Sequence, residues 1–332
     1  MSLALTAAPL WAQTATAEKP VTNIAPLPAA TTATPQKMAT VTPFISGLKE
    51  PQGLTFDAPG NLLVCDYGSG EILKFSPDGK RSGVLATGLK GPAQIVSALW
   101  PSRLNSSPAV PPIYVTERKA NRVISIDSAG KITPLGTEIP EPLGLVFGPS
   151  GLMMVSHTTS KIYRWKNSIP TLNEIPLMKS DRISVPGNIP LIGSLFRSRQ
   201  TPSVNPNGQW ELVYSAPSTD GARYGFRWLA SDGGAYFVSD EDGERVLMLT
   251  ENGRVATFAS GISDPSGLAI GPDGMVYVAN EGDGGQLIRL NNEGEKTIVA
   301  EKLGRPRGIL FLDAKTLLVS NRDGNIWKIL LP

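Results

Sequence analysis

The 332-residue chain has one cysteine, Cys65, and one histidine, His157. A lone cysteine excludes an intramolecular disulfide and any Cys-x-x-Cys metal site. It sits in the apolar run Leu62–Cys65, where a buried, inert thiol is expected. No run of 18 apolar residues occurs, so no membrane-spanning helix is expected. Blocks of like charge are missing, and the formal net charge is only +2. That balance argues against nucleic acid or an anionic membrane as a partner. Also absent is the Gly-x-Ser-x-Gly elbow of a serine hydrolase. Gly282–Gly285 lacks the strand-to-helix setting of a phosphate loop and reads as a hairpin turn. Asp240–Gly243 lacks the distal Glu of a calcium loop and reads as a tight turn.

Glycine and proline, by contrast, are plentiful, at 34 and 29 residues. Scattered between short apolar runs, they favour an all-β architecture. The first residues differ. Residues 3–12, LALTAAPLWA, are apolar and precede the small-x-small site Ala15-Thr16-Ala17. This pattern suits the core and cleavage site of an export signal over residues 1–17, although a basic leading segment is missing. Residues 18–39, rich in Pro, Ala and Thr, then form a linker. A periplasmic or secreted location is the resulting expectation.

From Pro51 the chain repeats. One unit runs from Pro51 to Pro92 and another from Pro265 to Pro306, both 41 residues long. Further units open at Pro92, at Pro142-Leu143-Gly144 and at Arg223-Tyr224-Gly225, giving six starts. Each unit holds four short apolar runs divided by turns, the dimension of a propeller blade. The last unit, Pro306–Pro332, has only three strands. Residues 40–50, TVTPFISGLKE, match the missing fourth strand, as comparison with 254–264, RVATFASGISD, shows. The chain is therefore expected to be a six-bladed β-propeller over residues 40–332, four antiparallel strands per blade. Its N-terminal strand closes the last blade and removes an exposed edge. Blade three carries an insertion at about 167–210, whose apolar part, 185–199, should fold over the rim or meet a partner.

In such a propeller the start of strand one and the end of strand two flank the central channel. Residues read as ending strand two are Asp66, Glu117, His157, Asp240, Asn280 and Asn321. At the middle of the Pro-x-Gly start stand Gln52, Ala93, Leu143, Tyr224, Ser266 and Arg307. Together they form a polar rim on which oxygen donors could hold a hard cation. The bland alternative is that each strand-end Asp or Asn satisfies free backbone N–H groups nearby. His157 is the natural candidate for a general base near neutral pH, and equally a rim residue that only hydrogen-bonds.

The units resemble NHL repeats. Pro51–Asp66 follows the first half of that pattern, and Tyr114-Val115-Thr116-Glu117 with Asn121-Arg122-Val123 follows the second. The resemblance covers residues 40–166 and 222–332. It implies a propeller of the kind that includes interaction scaffolds, gluconolactonase-like (senescence-marker-protein-like) enzymes, strictosidine-synthase-like proteins and virginiamycin lyases. The gluconolactonase-like branch implies a divalent cation, usually calcium, held by a Glu, two Asn and an Asp, one Asn lying in Pro-Asn-Gly. On that resemblance Gln52 replaces the Glu, Asp66 and Asp240 take the Asp-type position, and no blade start carries Pro-Asn-Gly. Arg307 adds a positive charge unsuited to a cation but able to hold a carboxylate.

Two functional readings follow. The first is an exported, monomeric propeller binding a small molecule or protein at the channel mouth through Gln52, Ser266, Asn280, Arg307 and Asn321. The second is a calcium-type hydrolase, lactonase or lyase with Asp66 and Asp240 on the metal and His157, Glu117 and Tyr224 in catalysis. A metal-free enzyme requires the last three to converge on one pocket.

Overall fold

Short apolar runs divided by glycine turns are too brief for helices, and they pair instead with the runs beside them. The computed structural model describes residues 37–97, 112–136, 138–148, 151–166, 209–217, 224–250 and 253–332, with the backbone of 184–185 and 189–190. Six four-stranded antiparallel sheets result. Blade 1 comprises Pro51–Phe56, Leu62–Asp66, Glu71–Phe75 and Arg81–Ala86. Blade 2 runs through Pro92–Ser97, Ile113–Glu117, Arg122–Ile126 and Ile132–Leu135. Pro142–Gly148, Gly151–Ser156, Lys161–Lys166 and Gln209–Ser215 make blade 3. In blade 4 the strands are Phe226–Ser231, Ala235–Asp240, Arg245–Thr250 and Val255–Ser260. Blade 5 holds Pro265–Ile270, Val276–Asn280, Gln286–Leu290 and Lys296–Ala300.

Blade 6 is built from both ends of the described chain. Pro306–Phe311, Thr316–Asn321 and Asn325–Leu330 supply three strands, and Thr40–Ile45 pairs antiparallel with the third. The expected closure is therefore observed, with Val41 opposite Ile329 and Ile45 opposite Ile326.

Position in the blade explains the sequence pattern. Second strands such as Leu62–Asp66 and Val276–Asn280 are buried at every residue, because neighbouring blades cover both faces. They accordingly read as unbroken apolar runs. Fourth strands such as Arg81–Ala86 lie outermost and are largely exposed, so polar residues are tolerated. Cys65 is fully buried, and burial followed by the Asp66 charge pushes its thiol well above its ordinary value.

Around the axis the blades approach too closely for side chains. A Cβ on Gly267 would lie 1.6 Å from the Arg307 carbonyl oxygen, and one on Gly308 2.3 Å from that of Gln52. Only glycine lets these strands meet. Hydroxyl groups then bridge three of the six seams. Thr116 accepts from Gln94 N and donates to the Leu143 carbonyl of blade 3, at 2.9 and 2.8 Å. Ser239 links Trp228 N to the Ser266 carbonyl of blade 5 (2.9 and 2.6 Å), and Ser320 links Gly308 N to that of Gln52 (2.9 and 2.5 Å). The same position in blades 1, 3 and 5 is apolar: Cys65, Val155 and Ala279.

Residues 1–36, where an export signal and a linker are expected, and residues 167–183, 186–188 and 191–208 of the insertion lie outside the described residues. So do the side chains of the apolar segment 185–199, of which only a backbone pairing of Ser184–Val185 with Ile189–Pro190 is described. Blade 3 resumes at Gln209, where Trp210 packs edge-on against Trp165 at 4.9 Å. No helix among the described residues is long and apolar enough to cross a membrane.

Ile45→Asp places a charge at a 7%-exposed position of the closing strand. It should lower unfolding free energy by about 3 kcal/mol in chemical denaturation; an unchanged midpoint would mean the strand does not hold the ring. Ser320→Ala leaves Gly308 N–H and the Gln52 carbonyl without their partner and should cost about 1–3 kcal/mol in the same measurement.

Candidate functional site

Strand pairing fixes which residues are equivalent between blades. Pro51, Pro92, Pro142, Phe226, Pro265 and Pro306 lie opposite Asp66, Glu117, Ser156, Asp240, Asn280 and Asn321. Two placements differ from the sequence reading. In blade 3 the strand ends at Ser156, so His157 belongs one residue further on, with Tyr67, Arg118, Glu241, Glu281 and Arg322. In blade 4 the first strand begins at Phe226, not at Arg223, because the fully buried Phe226 ring fills the place of the missing proline. Arg227 rather than Tyr224 therefore stands with Gln52, Ala93, Leu143, Ser266 and Arg307.

The ring of strand-end residues is buried and architectural. Asp66 accepts from Lys49 N and Glu50 N, the shortest contact being 2.7 Å. Glu117 accepts from Lys90 N at 2.7 Å and from Arg122 Nε at 2.5 Å. Asp240 takes Gly225 N (2.7 Å) and Arg245 Nε (2.8 Å). Asn280 accepts from Asp264 N, Ser156 donates to the Pro140 carbonyl, and Asn321 donates to that of Leu303. In every blade this residue anchors the segment that enters its own first strand.

The following ring reaches the channel mouth, a cavity of about 230 Å³. Nearly every seam is crossed here by a side chain. Arg118 Nη2 reaches Glu141 at 3.0 Å, Arg227 Nη1 reaches Glu281 at 2.8 Å, and Arg322 Nε reaches Glu50 at 2.7 Å. Lys119 lies 4.5 Å from the centre of the Tyr67 ring, crossing from blade 2 to blade 1. Arg227 also pairs with Glu241 within its own blade.

Arg307 lies deepest of the arginines, 6% exposed. Its Nη2 meets Glu281 at 2.6 Å and its Nη1 donates to Ser266 Oγ at 3.0 Å. Among the described residues its Nε–H has no hydrogen-bond partner. Burial, then the neighbouring Arg227 charge, brings this guanidinium down to about 9, so it remains cationic at neutral pH. Burial also raises the carboxyls of Glu281 and Asp264, against the pull of the arginines around them.

His157 is fixed by the Phe226 carbonyl, 3.0 Å from Nδ1. A carbonyl only accepts, so Nδ1 carries the proton and Nε2 keeps its lone pair. Burial, followed by the charges of Arg118 and Arg227, holds the ring below its ordinary value of 6.5 and therefore neutral at pH 7.

Of the residues singled out from sequence, Gln52, Leu143, His157 and Arg307 line the mouth, and Ser266 supports it from beneath through Arg307. Asp66, Glu117, Tyr224, Asp240, Asn280 and Asn321 are not among its lining residues. Tyr224 instead packs against Phe226 and under the Arg245 guanidinium. The trio His157, Glu117 and Tyr224 thus does not converge there. Tyr67, Arg118, Arg227, Glu241 and Arg322 line the mouth and escaped the sequence reading. A frame moved one residue beyond each strand end would have found four of these five.

The residues present do not fit a divalent cation. Both oxygens of Asp66 already accept backbone N–H groups, and those of Asp240 accept Gly225 N–H and Arg245 Nε–H. No group of three or more His, Cys, Asp or Glu able to hold a metal occurs among the described residues. The single Pro-Asn-Gly of the chain, Pro206–Gly208, precedes the outer strand of blade 3 and lies outside the described residues.

No protein-family model and no curated protein matches the chain. Solved structures do. A gluconolactonase from Xanthomonas campestris superposes with a TM-score of 0.63 at 13% identity, covering 89% of this chain and 90% of that one. Virginiamycin B lyase from Staphylococcus aureus gives 0.57 at 17%, covering 89% and 99%. A calcium-binding regucalcin from Agrobacterium tumefaciens gives 0.56 at 14%, covering 87% and 90%. At such identities the likeness establishes the six-bladed propeller and leaves the chemistry to the residues at the mouth.

Proposed function

We propose that this protein binds a small polar molecule at the channel mouth with its own side chains and without a divalent cation. The observation that carries this reading is the set of four arginines, Arg118, Arg227, Arg307 and Arg322, lining one small cavity. Their charges repel a metal ion, and their carboxylate partners are already engaged. A concave site where several placed donors converge can fix the orientation of a small polar ligand. The recessed cavity suits such a ligand better than the face of a protein partner. Export rests on residues 3–17 alone and is proposed on that basis.

A second reading, a metal-free lyase or hydrolase, is favoured by His157. Its Nε2, held neutral beside the mouth, could accept a proton from a bound substrate. Lyase and lactonase activities are named for two of the structures that superpose on this chain.

Purified protein should retain no stoichiometric divalent ion, and excess calcium should leave Tm unchanged. A saturable rise of Tm with calcium would refute the metal-free reading. In a thermal-shift screen of small polar compounds, a true ligand should stabilise the wild type but not Asp242→Trp, which plugs the mouth at an exposed lining residue.

The state of His157 can be tested through stability. Above pH 6.5 the ring is neutral in both folded and unfolded chains. As pH falls through 6.5 the unfolded chain takes up its proton first, and stability declines toward the lower folded value. His157→Gln keeps a donor for the Phe226 carbonyl but cannot titrate, so its Tm should fall less between pH 7 and 5 than that of the wild type. Parallel curves would show that the ring is not held neutral.

A further inference from the structure

On the reading that the mouth is a binding site, we infer that it takes an oxyanion of its ligand, in the simplest case a carboxylate, on the Nε–H of Arg307. The guanidinium presents five N–H donors in a rigid fork. In Arg307 one nitrogen is bound to Glu281 and another to Ser266, which fixes the plane of the fork. The third nitrogen, Nε, belongs to a residue 6% exposed that lines the cavity, and its buried N–H has no partner among the described residues. A buried donor without an acceptor is costly, so a site that keeps one is shaped for an acceptor arriving from outside.

Neighbouring groups favour an anionic acceptor. Gln52, in the adjoining blade, is 5% exposed and lines the same cavity. Its backbone carbonyl is held by Ser320, and its side-chain amide makes no hydrogen bond among the described residues, leaving a second donor near Arg307. Arg118, Arg227 and Arg322 share the lining. Against them stand Glu50, Glu241 and Asp242. Glu50 is paired with Arg322 and Glu241 with Arg227, so their charge is compensated. Asp242 belongs to blade 4, whereas Arg307 reaches from blade 6 onto Ser266 and Glu281 of blade 5, and Gln52 lies in blade 1 beside Gly308. Arg307 itself shares its one carboxylate, Glu281, with Arg227. A bidentate oxyanion complements that arrangement better than a neutral carbonyl. A free carboxylate and a phosphoryl group share this chemistry.

Thermal shift of the full chain with succinate, inorganic phosphate and the uncharged analogue succinamide, at matched ionic strength in potassium chloride, tests the inference. Succinate or phosphate should raise Tm saturably where succinamide does not, and whichever acts identifies a carboxylate or a phosphoryl group as the source. Arg307→Lys keeps the charge but loses the Nε donor and should weaken apparent affinity at least tenfold. Should that variant fold poorly, Gln52→Leu serves, since the seam uses only the backbone of Gln52; it should weaken binding several-fold. An effect of succinamide equal to that of succinate, an unaltered response in both variants, or no response to either anion overturns the inference. If neutral compounds from the screen bind and are blocked by Asp242→Trp while no oxyanion acts, the oxyanion is wrong and the mouth site stands. If the anions stabilise Asp242→Trp as well as the wild type, the mouth itself is the wrong site.

Discussion

Six twisted sheets can share an axis only if their innermost strands nearly touch, and that crowding governs the rest of this protein. Where Gly267 and Gly308 face the carbonyls of the next blade, no side chain fits. Backbone groups there are cut off from water and must be satisfied within the ring. The hydroxyls of Thr116, Ser239 and Ser320 do this at alternate seams. Further out, the anchors Asp66, Glu117, Asp240, Asn280 and Asn321 hold the entering segments, and beyond them ion pairs link blade to blade at the mouth.

Polar residues near the axis therefore serve two ends that look alike in a list of side chains. Those at strand ends are hydrogen-bonded to the segments that enter the blades and, in Glu117 and Asp240, to an arginine as well. One residue further on, the groups are engaged with one another yet border open space, and a few keep bonding capacity in reserve: Arg307 Nε, the Gln52 amide and His157 Nε2. Breaking one partner of the buried Arg307–Glu281 pair would strand the other charge, so the site is rigid as well as polar. A rigid, pre-oriented donor loses little freedom when a ligand arrives.

The fold was legible because its causes are local and repeated. Turn glycines, the period of 41 residues and the match of residues 40–50 to a fourth strand all survive in one dimension. The site was legible only in part, since it depends on the register between strands. Blade 4 shows why. It lacks the opening proline, and Arg223-Tyr224-Gly225-Phe226 mimics the motif three residues too early; only the pairing of Phe226 with Asp240 exposes Arg227 as the rim residue. His157 stands out by its rarity, but Ser156, a small strand-end residue, gives a weaker signal than Asp or Asn, so the sequence pattern puts the histidine one residue out of frame. The arginines of the mouth left no comparable trace, as a charged residue after a strand reads like any solvated turn.

The pairing of Thr40–Ile45 with Asn325–Leu330 also bears on how the native state is reached. This contact joins segments almost the whole chain apart, so it carries the greatest loop-closure entropy in the molecule. Blades 1 to 5 hold all four of their strands in consecutive order and can form as soon as each is synthesised. Blade 6 must wait for the final strand, with its partner tethered at the opposite end. Ring closure is thus the pairing of longest sequence separation, and until it forms, the outer edge of Asn325–Leu330 and the strand Thr40–Ile45 are open to pairing with another chain.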